Sequence, residues 1–219
     1  MLRSGEQPAE LQRWHDRLEP LVAEARKRIA GVDPSELAAR SGCARDPDGF
    51  LRLTCLWQQY LIDLPDLTVR QSDTGREPSA FTQALLLTYL DAADGTAPSG
   101  RWIAYRDLPG GMFYAQAFHG YAEIHLVREL GDGGLEAFCR AAERLGGERI
   151  EIGNAGYAFQ ILPRVHLAAV YWLGDEDFPS QASILFEDSA THYVSTDGLA
   201  VLGSRVAEAL MEAARTRKE

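Results

Sequence analysis

Residues 156–194, GYAFQILPRVHLAAVYWLGDEDFPSQASILFEDSATHYV, read as three consecutive strands of one sheet. Tyr157, Phe159 and Ile161 alternate with Ala158, Gln160 and Leu162, the period-two spacing of a strand. Val165 to Leu173 is apolar at nearly every position, so both faces of that strand are expected to be covered. The polar run Gly174-Asp175-Glu176-Asp177-Phe178-Pro179 turns the chain, and Ala182 to Phe186 returns antiparallel.

The rest of the chain is arranged around this meander. Upstream, Pro8 to Ala30 places Leu11, Trp14, Leu18, Leu21, Val22, Ala25 and Ile29 at three- and four-residue steps, which predicts an amphipathic helix. Pro20 is expected to kink it and Gly31 to end it. Asp33-Pro34 opens a second short helix that ends by Gly42. After the Asp46–Gly49 turn, residues 50–62 predict two strands, with a further short one over Leu67 to Arg70. Pro78 to about Ala93 is a helix, 94–100 a loop, and Trp102 to Arg106 a short strand.

A five-turn helix is expected over Met112 to Leu130, its apolar face made by Phe113, Tyr114, Ala117, Phe118, Tyr121, Ile124 and His125. Leu135 to Leu145 and Thr196 to Arg215 are the remaining helices, the last with Asp197 near its start and Arg215, Arg217 and Lys218 at its end. Strands cluster instead of alternating with helices. The fold class is therefore α+β: a mainly antiparallel sheet with a C-terminal meander, packed by several helices. Residues 1–219 read as one such domain, with 1–45 as an N-terminal helical segment on it.

Composition limits the partners. A net charge of −10 disfavours a nucleic-acid backbone or an anionic membrane surface. Cys43, Cys55 and Cys139 form no CxxC pair, which argues against a disulfide framework and a cysteine metal site. The polar first residues do not read as a secretion signal and no apolar run is long enough to span a membrane, so a soluble, cytoplasmic protein is expected. No cofactor is specified.

Three stretches resemble signature segments of an uncharacterised bacterial and archaeal family, domain of unknown function 3786. They are Gly100 to Gly111 (GRWIAYRDLPGG), Leu162 to Val165 (LPRV), and Asp175 to Pro179 (DEDFP) followed by Leu185 to Ala190 (LFEDSA). The resemblance covers roughly residues 10 to 205. Some members of that family carry a four-cysteine iron–sulfur segment of the kind found in corrinoid and electron-transfer proteins; the three cysteines here do not form one. The resemblance implies no catalytic residue.

The leading candidate site is the junction RDLPGGMFY, Arg106 to Tyr114. A strand enters a glycine-bearing loop and a helix follows, so free N–H groups and the helix dipole favour an anion. Gly110 and Gly111 allow close backbone approach, Arg101, Arg106 and Asp107 supply charge, and Tyr105, Tyr114 and His119 complete the ligand-binding set. The plainer alternative is that Pro-Gly-Gly is the turn this connection requires. His119 and Glu123 lie four apart and read as a surface pair or as an acid–base pair. His125 is expected in the core, and Ser99 and Ser189 lack a nucleophile-elbow context. The acidic turn at Asp175–Asp177 lacks the spacing of a calcium loop and is expected to bind no divalent ion tightly.

These features suit a binding or accessory protein that takes a small anionic or cofactor-like ligand at the glycine loop. An enzyme with acid–base groups near His119 and a ligand-free interaction module using the N-terminal helices are the alternatives.

Overall fold

Both sheets are antiparallel throughout, and their strands divide between two compact units of the chain. The computed structural model describes residues 7–64, 66–131 and 134–215, with side chains from residue 18 onward. The side chains of Leu11 and Trp14 lie outside this description, as do the bend at Pro65 and the terminal Arg217 and Lys218.

The first unit comprises the chain up to Thr96 together with His192–Val194. Helix α1 (Gln7–Ile29) continues through Pro20, and Ala25 and Ile29 are buried while Leu21, expected on the same face, is exposed. Helix α2 (Pro34–Ser41) starts as its sequence requires: the Asp33 side chain accepts from Ser35 and Glu36 N–H groups, and Gly42 closes it in the left-handed conformation. Strands β1 (Ala44–Arg45), β2 (Leu51–Cys55), β3 (Gln58–Ile62) and β4 (Val69–Gln71) form a meander in that order.

Leu51, Leu53 and Cys55 are buried while Arg52 and Thr54 are exposed, the alternation of a sheet with one wet face. The turn between β2 and β3 is made by Leu56 and Trp57, with Leu56 at φ +51. A leucine rarely takes that conformation, so the residue type gives no turn signal. Helix α3 (Ala80–Ala92) is capped by Ser79 and buries Leu85, Leu86, Leu87, Tyr89 and Leu90. It is tied to α1 by a forked Arg28–Asp91 pair, Nε to Oδ1 at 2.9 Å and Nη2 to Oδ2 at 2.6 Å. Burial pushes the Cys43 thiol up to about 11 and the Cys55 thiol to about 12, which leaves both unreactive at neutral pH.

The second unit comprises Ala97–Thr191 and Ser195–Glu219. Strand β5 (Trp102–Ala104) stops two residues short of the predicted end, because Tyr105–Asp107 winds into a 3-10 turn that buries Tyr105. The predicted five-turn helix is also corrected. Gly111–Phe113 is a separate 3-10 turn, followed by α4 (Ala115–Phe118), a π-helical stretch at His119–Ile124, and α5 (His125–Leu130). Helix α6 (Gly134–Arg144) then leads to β6 (Glu148–Ile150), β7 (Ala155–Leu162), β8 (Val165–Trp172), β9 (Gln181–Glu187) and helix α7 (Thr196–Arg215).

The sheet order is β5-β9-β8-β7-β6, so the meander is its centre. Pro163 and Arg164 alone connect β7 to β8, with Leu162 paired to Val165. Leu167, Ala169 and Val170 are fully buried, as the apolar run requires. Phe138 of α6 lies edge-on to Tyr157 at 5.9 Å and tilted against Tyr171 at 5.6 Å, fixing that helix to β7 and β8. Gly203 lets α7 approach closely: a Cβ there would lie 2.8 Å from Phe118 and 3.1 Å from Phe186.

Two outcomes follow. Val170→Asp places a charge where no solvent reaches, and the variant is expected to lose its cooperative melt; a parental melting curve would show the strand to be misplaced. Asp94 is held at about 2, below its usual 3.8, by the Thr96 backbone N–H and then by His192, whose Nδ1 lies 2.7 Å away. A depressed carboxylate stabilises the fold above its unfolded value and loses that contribution as pH falls through its folded value. The melting temperature should therefore drop more steeply between about pH 4 and pH 2 in the parent than in Asp94→Asn. Parallel curves for the two proteins would exclude this pair as a source of acid sensitivity.

Candidate functional site

The glycine loop is built inward from Tyr105. Its ring stacks on Phe118 at 4.6 Å and meets Phe186 edge-on at 5.9 Å, so the start of the loop is anchored in the core. Leu108 is buried beside it, and Thr196 Oγ1 at the start of α7 donates to the Pro109 carbonyl at 2.8 Å. The two glycines serve different needs. Gly110 sits at φ +73 with open space around it, a backbone requirement. Gly111 is a packing requirement, since a Cβ would lie 2.0 Å from the Tyr105 carbonyl oxygen.

The N–H groups expected to face a ligand are largely taken. Gly111 donates to Leu108 at 2.8 Å, Tyr114 to Gly111 at 3.1 Å and Phe113 to Gly110 at 3.4 Å. A three-residue 3-10 turn also carries little of the dipole of a long helix. What the loop presents outward is side chain. Arg106 and Asp107 are exposed and only 4.0 Å apart. Arg101 is instead committed, with Nε 2.7 Å from Asp188 Oδ2.

Beyond the loop, Met112 is 68% exposed, Phe113 96%, Tyr114 51% and Ile124 51%, and Tyr121 is also exposed. Tyr114 and Tyr121 face each other with centroids 6.2 Å apart, and Phe118 supports Tyr121 edge-on at 5.7 Å. Burial raises the Tyr121 hydroxyl, against a hydrogen bond from Ser204 that lowers it. Of these, Phe113, Tyr114, Tyr121 and Ile124 were expected on the buried face; of that expected face Phe118 is buried. The buried stripe is instead Phe118, Ala122, Leu126 and Leu130, every fourth residue. Four-residue steps drift by about 40° on an α-helix, and the wider π turns at 119–124 reduce that drift. Tyr121 is left on the outer side of this stretch, and Phe113 and Tyr114 are exposed at the separate 3-10 turn before it.

His119 Nδ1 lies 2.5 Å from Glu123 Oε2, and the other Glu123 oxygen accepts the Ile184 N–H at 2.9 Å. Strand β5 ends opposite Leu185, so the next N–H along that edge of β9 lacks a strand partner, and Glu123 supplies one. His125 is not a core residue: it is half-exposed and accepts from Arg128 at 2.6 Å.

A second constellation escaped the sequence reading. Glu187 is 2% exposed, and its Oε1 accepts from Ser99 N–H at 2.6 Å, Ser99 Oγ at 2.8 Å and Gly100 N–H at 3.0 Å. Its Oε2 accepts from the Ser189 N–H at 3.0 Å and from the Ser189 hydroxyl. Ser99 and then Arg101 hold the neighbouring Asp188 below the usual carboxylate range. Ser99 and Ser189 are thus donors to a buried carboxylate. The only sequence signal for it is an acidic residue closing the apolar strand SILFE. At the acidic turn, Asp175 Oδ1 accepts from the Asp177 and Phe178 N–H groups at 2.9 Å each. Among the described residues, no group of three or more His, Cys, Asp or Glu side chains is arranged to hold a metal.

A family model described as a domain of unknown function (DUF3786) matches residues 33–209. The chain belongs to this family. The DUF3786 match starts at the Asp33 cap of α2, ends inside α7, and takes in both the glycine loop and the Glu187 cluster. No curated protein and no solved structure matches the chain. No helix among the described residues is long and apolar enough to cross a membrane.

The contrast between the two glycines is measurable. Gly110→Ala should cost about 1 kcal/mol for its left-handed backbone. Gly111→Ala forces the Tyr105 carbonyl to move and should cost about 3 kcal/mol, the upper part of the usual overpacking range. Urea denaturation of both variants checks this, and equal stabilities would show that the close approach at Gly111 is not what fixes the glycine.

Proposed function

We propose that this DUF3786 domain is a binding or accessory module that takes a small anionic or cofactor-like ligand with a flat apolar body. The face in question is formed by Arg106, Met112, Phe113, Tyr114 and Tyr121, with Asp107 and Gly110 at its edge. The observation that supports it most is Met112–Tyr114, three consecutive large apolar side chains left in solvent. Burying a phenylalanine is worth about 1.5–3 kcal/mol, and the fold forgoes that at Phe113. Flat rings stack on such a surface, and Arg106 is an exposed guanidinium on the 3-10 turn that packs against Gly111–Phe113. The net charge of −10 disfavours nucleic acid and anionic membranes as occupants of this face. Glu123 is engaged at the edge of β9, so the His119–Glu123 pair supports an acid–base role less well than a structural one.

Anilinonaphthalene sulfonate has this chemistry and serves as the probe. The parent should give a saturable fluorescence titration. Phe113→Ser should abolish it, and Arg106→Ala should weaken it roughly tenfold to a hundredfold, the 1.5–3 kcal/mol of a charged hydrogen bond. Phe178→Ser, which alters an exposed aromatic on the acidic turn, should titrate as the parent does. No saturable response in the parent, or parental titrations for Phe113→Ser and Arg106→Ala, would overturn the reading. Where the parent titration saturates and both variants weaken it, native mass spectrometry of freshly purified protein would identify the natural ligand.

A further inference from the structure

A cavity of about 320 Å³ lies at the acidic turn, and a second of about 520 Å³ lies within the first unit. The second carries an inference. Its apolar wall includes Ile29, Val32, Phe50 and Leu64, where the α1–α2 connection faces the β1–β2 and β3–β4 turns. Its volume is in the usual range for small-ligand sites. Charges of both signs line the same space: Arg45, Asp48 and Asp63.

Among the described residues, these charges do not pair within 4 Å with each other or with any other charged side chain, whereas Arg52 and Asp46 in the same region do, at 3.5 Å. Arg45 is steadied instead by a neutral partner, its Nη1 donating to Ser35 Oγ at 3.0 Å. That bond orients the guanidinium without neutralising it. Asp63 is half-buried and lines the cavity, and its backbone N–H donates to Thr68 O at 3.0 Å, which fixes the main chain at that position. An unneutralised guanidinium and carboxylate above an apolar wall match one ligand class: a molecule with a carboxylate, an ammonium and an apolar body.

We propose that this cavity is a site for a small zwitterion of the α-amino-acid class with an apolar side chain. Arg45 receives the carboxylate, Asp63 receives the ammonium with Asp48 at the rim, and Phe50 and Leu64 enclose the apolar body. The site is separate from the aromatic face at Phe113, and the two are tested independently.

The experiment is calorimetry on the full chain with L-phenylalanine, and with two truncated probes, hydrocinnamate and phenethylamine, which keep only the carboxylate or only the ammonium. L-Phenylalanine should bind saturably, and each truncated probe should bind at least tenfold more weakly. Arg45→Ala and Asp63→Asn should each weaken L-phenylalanine binding roughly tenfold to a hundredfold, with melting temperatures confirming that both variants fold. Asp48→Asn changes an exposed residue, keeps the fold, and should weaken binding by a smaller factor. The proposal is overturned if neither L-phenylalanine nor L-leucine binds at millimolar concentration. It is equally overturned if hydrocinnamate or phenethylamine matches the amino acid, or if folded Arg45→Ala and Asp63→Asn bind as the parent does.

Discussion

Glu187 closes β9 with almost no solvent around its carboxylate. A buried carboxylate without partners costs several kcal/mol, so the surrounding chain must supply donors. It does so from both sides in sequence: Ser99 and Gly100 arrive from one direction and Ser189 from the other. This clasp fixes where the 97–101 loop ends. It thereby sets β5 against β9, with Trp102 opposite Glu187 and Ala104 opposite Leu185. The position of the glycine loop is a consequence, because Tyr105 follows directly and buries its ring against Phe118 and Phe186. The buried carboxylate and the exposed candidate face are thus linked through a single short strand.

The short length of β5 has a second effect. An edge strand that stops early leaves N–H groups of its neighbour unpaired, and unpaired buried donors are costly. Glu123 reaches across to the Ile184 N–H, which requires the 119–124 segment to lie close along that edge. The π turns of that segment keep Phe118, Ala122, Leu126 and Leu130 in one stripe facing inward. Tyr121 lies on the outer side of those turns, while Phe113 and Tyr114 are exposed on and beside the separate 3-10 turn that precedes α4. Glu123 at the sheet edge and the exposed Tyr121 thus belong to the same π-helical stretch.

In the first unit the sheet does different work. Its strands are short and its turns carry the charged residues, so the β1–β2 and β3–β4 turns lie beside the connection between α1 and α2. The forked Arg28–Asp91 pair and the Asp33 cap fix the two helices that flank that connection. Arg45, Asp48 and Asp63 come from segments separated in sequence, and only the folding of two hairpins against the helix junction gathers them into one space.

Much of this was legible in the residues. Period-two alternation and the Gly174–Pro179 turn specified the meander, since a strand with one register can bury only one set of side chains. Asp33-Pro34 and Gly42 specified α2 almost to the residue, because caps are local chemistry. The helix from Thr196 to Arg215 was equally plain. What the sequence could not carry was the facing of the 112–130 segment. Its apolar residues fit two helical stripes, one through Phe113, Tyr114 and Tyr121 and one through Phe118, Ala122, Leu126 and Leu130. The choice between them lay in contacts with Phe186, Ile184 and Gly203, which are distant in the chain. The candidate site followed the same division. Local spacing marked Gly110 and Gly111 as a turn, whereas tertiary structure gave Gly111 its reason in the Tyr105 carbonyl and made the surface beside it aromatic. Caps such as Asp33 and Gly42 are set by neighbours in sequence; which face is buried is set by what packs against it, and that is a property of the folded chain alone.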